Sequence, residues 1–335
     1  MDTIPVSPAS EHGRNLAREY AVGEFQYGGQ AVIEGVMMRG SKAVAVAVRA
    51  PSGDIVVRME PLKAGIYTKP WGKWPLVRGL AMLWDALVLG MRALTFSANV
   101  ALEEEGEGVE FSGPVAWGTI AVSLAAGIAL FFLLPSAIAK LLDHLIPSDL
   151  LSSLVEGIVR VGIFIGYIAA IGQWKDIQRV FAYHGAEHKT INAYEAGVPL
   201  EPAAIEQYST RHTRCGTSFL LVVLVLSVLV FAPFRFPQWH WRLLSRVVLI
   251  PLIAGLSYEI IKYASRHPES RILRAVMAPG LALQALTTRP PDRSMIEVAV
   301  EALKAVLRAE SAGQVEEEEY TVSAAGQAPA TGDLT

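Results

Sequence analysis

Apolar and polar positions are unevenly distributed along this chain. No charged residue occurs from Phe111 to Ala139, and Val115–Ala139 is long enough to cross a bilayer with some tilt. A second uncharged run, Cys215–Phe234, contains LLVVLVLSVLVF, and 217–234 reads as another span. Leu150–Ile171 is apolar but carries Glu156 and Arg160, which lie four apart and so share a helix face where they can neutralise each other. Leu243–Ile261 has Arg246 near one end and Glu259 near the other. The pattern predicts a membrane α-helical fold with about four transmembrane helices, at 115–139, 150–171, 217–234 and 243–261.

The rest of the chain is patterned differently. Residues 1–24 are polar and read as a loose tail. Within 25–65, KAVAVAVRA, a turn at Pro51-Ser52-Gly53-Asp54, and IVVRME predict a small cytoplasmic β-rich unit containing a hairpin. Over 76–97, Leu80, Leu83, Trp84, Leu87, Val88, Met91 and Leu94 recur at helical spacing, interrupted by Arg78, Asp85 and Arg92. That is an amphipathic helix. It either lies in the membrane interface, with Trp71, Trp74 and Trp84 near headgroups, or packs on the β-unit, and the stripe alone does not separate the two. Residues 262–310 predict cytoplasmic helices: 271–288 with a Pro279-Gly280 break, then MIEVAVEALKAVL capped by Asp292 and Ser294. Glu316–Glu319 mark 311–335 as a disordered acidic tail.

Composition agrees with the pattern. The 335 residues are 52% hydrophobic and only 18% charged, against about 25% charged in soluble domains. A formal net charge of −3 gives no support to a general nucleic-acid-binding role. Lys and Arg number 11 in residues 1–113, 5 in 172–214 and 8 in 262–335, but only 4 in the two opposite loops. By the positive-inside rule the charge-rich side, with both termini, faces the cytoplasm. The first 30 residues lack an apolar signal-peptide core.

Chemistry concentrates in 172–216, the loop between the second and third spans, which holds three of seven histidines and the one cysteine. On a helix His184 and His188 lie one turn apart and Glu187 lies beside them, the H-x-x-E-H pattern of inverted zinc hydrolases. Two imidazoles can hold one divalent ion, zinc above all, with Glu187 as general base. Glu195 shares their face but lies about 10 Å further along the axis, too far to ligate the same ion unless the helix breaks first. Asn192 is closer but a poor zinc ligand. His212 and Cys215, at i and i+3, are better donors. With all four as ligands the site is closed and structural; with three it is open and catalytic, and the sequence fits both. Each residue also has a plainer reading. Cys215 can be a small buried apolar group at a helix end, and His212, in TRHTR, part of a basic patch facing anionic headgroups. Glu259, near the end of the fourth span, can reach this region as a ligand or outer hydrogen-bond acceptor, and Glu195 can serve as an outer acceptor too. Glu34 and Arg39 of VIEGVMMRG are either walls of such a site or surface charges flanking a strand.

YHGAEHKTINAYE at Tyr183–Glu195 and H-x-R-CGTSF at His212–Phe219 resemble the YqhQ-like family of bacterial membrane proteins. So do YGGQAVIEGVMMRG at Tyr27–Gly40, GLSYEIIK at Gly255–Lys262 and TTRPPDRSMIEVAV at Thr287–Val300, so that the resemblance covers about residues 25–310. It implies an integral protein of the bacterial plasma (inner) membrane, from a family of unknown function sometimes labelled as predicted metal-dependent enzymes. His184, Glu187, His188, His212 and Cys215 all match its pattern. The leading expectation is a metal-dependent hydrolase at the cytoplasmic face, acting on an unidentified small molecule or protein. The rival is a non-enzymatic assembly factor or partner-binding scaffold with a structural metal or none. A transporter fits less well, because the strongest spans are uniformly apolar.

Overall fold

The computed structural model describes residues 27–62, 70–102, 113–146, 148–233, 239–267, 269–312 and 315–323. The tail read at 1–24 lies outside the described residues. From Gly28 the chain builds an antiparallel meander, β1 (Gly28–Val32), β2 (Gly35–Arg39), β3 (Ala43–Arg49) and β4 (Ile55–Pro61). The PSGD turn joins β3 to β4, with Gly53 at φ +94°, where a side chain would be strained. Arg49 Nη1 donates to the Gly53 carbonyl at 2.7 Å and fixes the turn.

A fifth strand, β5 (Glu318–Val322), pairs with β4 and corrects the expectation of a disordered tail. Charge alone misleads here: Glu319 meets Arg58 at 2.8 Å across the pair, and Tyr320 packs against the main core. Within this tail Glu318–Val322 is therefore strand, tied down by an ion pair and an aromatic ring.

The sheet is buried on both faces, which explains why β3 reads AVAVAV rather than alternating with polar residues. One face puts Val36, Met38, Ala45, Ala47 and Val57 against α10 (Arg293–Ala312), through Ile296, Leu303 and Val306, and against α5 (Lys175–Glu195), through Tyr183, Ala186 and Ile191. The other face puts Val32, Met37, Val44, Val46 and Val48 against Ala93, Phe96 and Val100 of α1 (Val77–Leu102). Asp292 caps α10: its Oδ1 accepts from Met295 N at 2.9 Å and Ser294 Oγ at 2.6 Å. Partial burial alone would raise its carboxyl pKa, but these hydrogen bonds hold it below the usual value. The cap's contribution is therefore full above the unfolded aspartate pKa and is lost as pH falls through the lower folded one. Asp292→Ala is expected to lose about 1 kcal/mol, read as a lower melting temperature at pH 7 whose deficit shrinks in acid.

The apolar helices form a second layer. They are α2 (Gly113–Ile128), a π-helical stretch (Ala129–Leu133), α3 (Leu134–Leu142), α4 (Asp149–Ile171), α7 (Gly216–Phe231), α8 (Trp239–Arg266) and α9 (Arg271–Thr287); a short α6 (Pro202–Ile205) precedes α7. Among the described residues four stretches are long and apolar enough to cross a membrane: Val77–Ala101, Trp117–Leu145, Leu150–Ile171 and Val248–Arg266. The number agrees with the reading of the sequence, but the membership differs. α7 has 16 residues, about 24 Å of helix against a hydrocarbon core of about 30 Å. In its place α1 qualifies by length. Residues 89–100 of α1 cover the sheet, while Trp84, Leu87, Met91 and Leu94 form an exposed apolar stripe on the opposite side. Packing on the β-unit, one of the two roles weighed for this helix, is thus met by one face, and the apolar stripe is left exposed on the other. Its other end crosses α8 where small residues permit close approach, a Cβ on Gly255 falling 2.9 Å from the Leu76 carbonyl oxygen.

The Pro279-Gly280 break is also corrected, for α9 runs unbroken through it. Gly280 is there to be packed against: a Cβ would lie 2.9 Å from Ser218 Oγ of α7.

Candidate metal centre

α5 presents His184, Glu187 and His188 toward the segment Thr210–Cys215 and the end of α9. His188 is 1% exposed and Glu187 4%, so both lie in a low-dielectric setting that needs specific partners. His184 Nδ1 lies 2.8 Å from the Thr287 carbonyl, and His188 Nδ1 lies 2.6 Å from the Thr210 carbonyl. A carbonyl only accepts, so each Nδ1 carries a proton, and Nε2 is the nitrogen left to offer a lone pair to a metal. Those lone pairs converge. His184 Nε2 is 3.1 Å from Cys215 Sγ, and the donor atoms of His184, His188 and Cys215 all lie within 4.8 Å of one another. His188 Nε2 is buried without a hydrogen-bond partner. Glu187 Oε2 sits 3.5 Å from His188 Nε2 and 4.0 Å from His184 Nε2.

Cys215 is placed by the start of α7, where its sulfur accepts from Thr217 N at 3.4 Å and contacts Thr217 Oγ1 at 3.1 Å. The segment before it is lashed to α5. Asn192 Nδ2 donates to the Ser209 and Arg211 carbonyls, and Lys189 Nζ to those of Glu206 and Tyr208. Burial pulls the Lys189 pKa down, against the opposing pull of Glu206. From the other side Gln284 of α9, fully buried, accepts from His212 N at 2.9 Å and donates to His212 O at 2.7 Å and Ser218 Oγ at 2.9 Å.

The remaining candidates sit apart from the trio. The His212 ring packs beside that of His188, with centroids 5.7 Å apart, but its Nε2 is turned to Glu195 Oε2 at 3.6 Å. Arg214 pairs with the same Glu195 carboxylate. Burial would raise the Glu195 pKa, but His212 and Arg214 outweigh it and hold the group below its ordinary range. Glu259, expected near the histidines, is held elsewhere: Arg78 Nε reaches its Oε1 at 2.7 Å, and Leu76 N approaches the same oxygen. An arginine on the neighbouring helix was a better partner than the loop. Glu34, at φ +51°, pairs with Arg179, and Arg39 pairs with Asp85 at 3.2 Å. Both charges are therefore satisfied by partners outside the trio.

Gly185, between the two histidines, is required by close packing. A Cβ there would lie 2.1 Å from the Arg289 carbonyl oxygen, on the segment whose Thr287 carbonyl orients His184. Gly185→Ala is expected to destabilise the protein by about 1–3 kcal/mol, as overpacking against backbone does, and differential scanning calorimetry in detergent would read it. Reading the sequence missed Gln284, Thr287 and Thr210, which orient the ring carriers. The polar Gln284 in the apolar text LALQALT was the one available signal.

This arrangement lies inside the region that family comparison matches. Residues 74–309 match a family described as "Protein of unknown function (DUF1385)". The "Uncharacterized protein YqhQ" of Bacillus subtilis (strain 168) is 32% identical over 298 residues, covering 85% of this chain and 93% of the relative. No solved structure matches. A family match over more than half the chain, joined by a relative of that identity and coverage, places this protein plainly: it belongs to the DUF1385 family of proteins of unknown function.

Proposed function

We propose that this is a multi-pass protein of the bacterial plasma membrane with a zinc-type site at its cytoplasmic face, used for metal-assisted hydrolysis. The observation that carries the reading is the hydrogen bonding of the two imidazoles. Metal-ligating histidines donate their second ring N–H to a carbonyl or carboxylate, and His184 and His188 both do so, leaving Nε2 lone pairs aimed with Cys215 Sγ into one space. Two imidazoles and a sulfur are a donor set that suits zinc. A divalent ion held by them would supply Lewis-acid polarisation of a substrate oxygen. Glu187, beside both rings, is placed to take a proton from an attacking water. His212 and Glu195 extend the polar wall.

The burial of Glu187 and His188 favours a second reading, a closed structural site in a membrane assembly factor. Two measurements decide. Metal analysis of protein purified in detergent should find about one zinc per chain, and its absence in wild type overturns both readings. The cobalt-substituted protein is then titrated with acetohydroxamate. A shift of the visible bands means an open coordination position and supports hydrolysis, whereas unchanged bands leave the structural reading. Glu187→Gln should retain the metal in either case.

A further inference from the structure

Away from the histidines, the apolar layer borders an open cavity of about 470 Å³ with charged and polar side chains in its lining. It lies between α3, α4, the end of α7 and the start of α8, with Val228, Phe231 and Ala232 along one wall. Cys215 and Phe231 stand at opposite ends of α7, about 24 Å apart, so the cavity and the metal centre belong to opposite faces of the bundle. Its described lining includes Lys140, Asp143, Glu156 and Arg160, together with four serines.

The site is built, not incidental. The Arg160 side chain is 9% exposed and pairs with Glu156. Its Nε donates to the Phe131 carbonyl at 3.1 Å. Phe131 lies in the π-helical stretch, where Leu134 N bonds to Ala129 O in the wider i→i+5 pattern. Such a bulge is uncommon and recurs at functional sites. Ser136 Oγ donates to Glu156 at 2.9 Å and Ser152 Oγ to Asp143, so the carboxylates are oriented from α3 and α4 alike. Gly157 lets α4 and α7 close the wall, since a Cβ there would fall 2.2 Å from Val228 Cγ1. Charge buried among apolar helices is expensive and marks function by default.

We propose that this cavity binds a phosphoethanolamine-type group, a primary ammonium joined to a phosphate. The lining carries both signs, which disfavours a simple anion or cation: Lys140 and Arg160 suit the phosphate, Asp143 and Glu156 the ammonium. The inference rests on the reading that these helices span the bilayer. Lys140 and Asp143 lie at the end of α3, at headgroup depth, and Arg160 lies further in.

The test uses the full chain in detergent, mixed with equal amounts of phosphatidylethanolamine, phosphatidylcholine and phosphatidylglycerol, with bound lipid read by native mass spectrometry. Phosphatidylethanolamine is expected to be retained about fivefold over the other two, the scale of one ordinary net hydrogen bond. Phosphatidylcholine lacks N–H donors, and phosphatidylglycerol lacks the ammonium. Lys140→Gln, at an exposed position, and Ser136→Ala should each reduce the preference without altering the melting temperature. Equal retention of the three lipids, preference for phosphatidylglycerol, or unchanged preference in both variants would overturn the proposal. Displacement by glycerophosphoethanolamine points to a soluble ligand, and its failure to compete points to the lipid; either supports the recognition chemistry. Carbonate extraction of native membranes tests the spanning reading separately.

Discussion

Replacing His188 with alanine is expected to weaken zinc binding by at least about 100-fold, beyond the 10–100-fold typical of losing an outer partner alone. His188 contributes a buried Nε2 with no hydrogen-bond partner, and its Nδ1 is committed to Thr210. The ring can therefore offer a metal nothing but that lone pair. His212→Ala is expected to weaken binding by no more than about tenfold: its Nε2 is buried without a hydrogen-bond partner too, but it lies beside Glu195 and outside the group of donor atoms formed by His184, His188 and Cys215. Cys215→Ser should behave like His188→Ala, since the hard hydroxyl is a poor substitute for sulfur on zinc. Competition against a chromogenic chelator measures all three. A His212 variant as defective as the His188 variant would mean that His212 belongs to the ligand set, and a Cys215→Ser variant with unchanged affinity would mean that Cys215 does not.

What was legible depended on whether an interaction is local. The runs at 115–139 and 150–171 are readable because length and apolarity are properties of consecutive residues, and the i, i+4 histidines are readable because a helix repeats every turn. The roles of α1 and β5 needed partners distant in sequence. A stripe such as Trp84, Leu87, Met91 and Leu94 has the same spacing whether it faces lipid or a sheet, and here the sheet takes the opposite face. Glu318 and Glu319 are exposed, as the charge run suggests, but β4 supplies Arg58 and a ladder of backbone hydrogen bonds that make the segment a strand. At the site, residue type and spacing from Cys215 point to His212 as third ligand. Its ring direction is set by Glu195 and Gln284, and no spacing rule contains that.

Gln284 therefore carries the second large expectation. Its amide is the only described side chain bonded to both the N–H and the carbonyl of His212, and it reaches Ser218 on α7 as well. Gln284→Leu keeps the approximate volume but strips partners from the two backbone groups. The carbonyl then retains only a long 3.5 Å approach from Cys215 N. Each buried polar group left unpaired costs about 1–3 kcal/mol, so a loss of roughly 3 kcal/mol is expected, concentrated where the strapping segment meets α7 and α9. Cys215 lies three residues beyond His212, so zinc affinity should fall with it, by about 10–100-fold, as for other outer partners. Gln284→Glu separates the contributions: it can still accept from His212 N–H but cannot donate to the carbonyl or to Ser218, and an intermediate defect is expected. Hydrogen exchange locates the damage. Faster exchange confined to 206–218, with the amides of β3 and α10 unchanged, is the expected pattern. Exchange rising equally through β3 and α10 would mean that Gln284 supports the whole core and that its bonds to His212 are incidental to the metal centre.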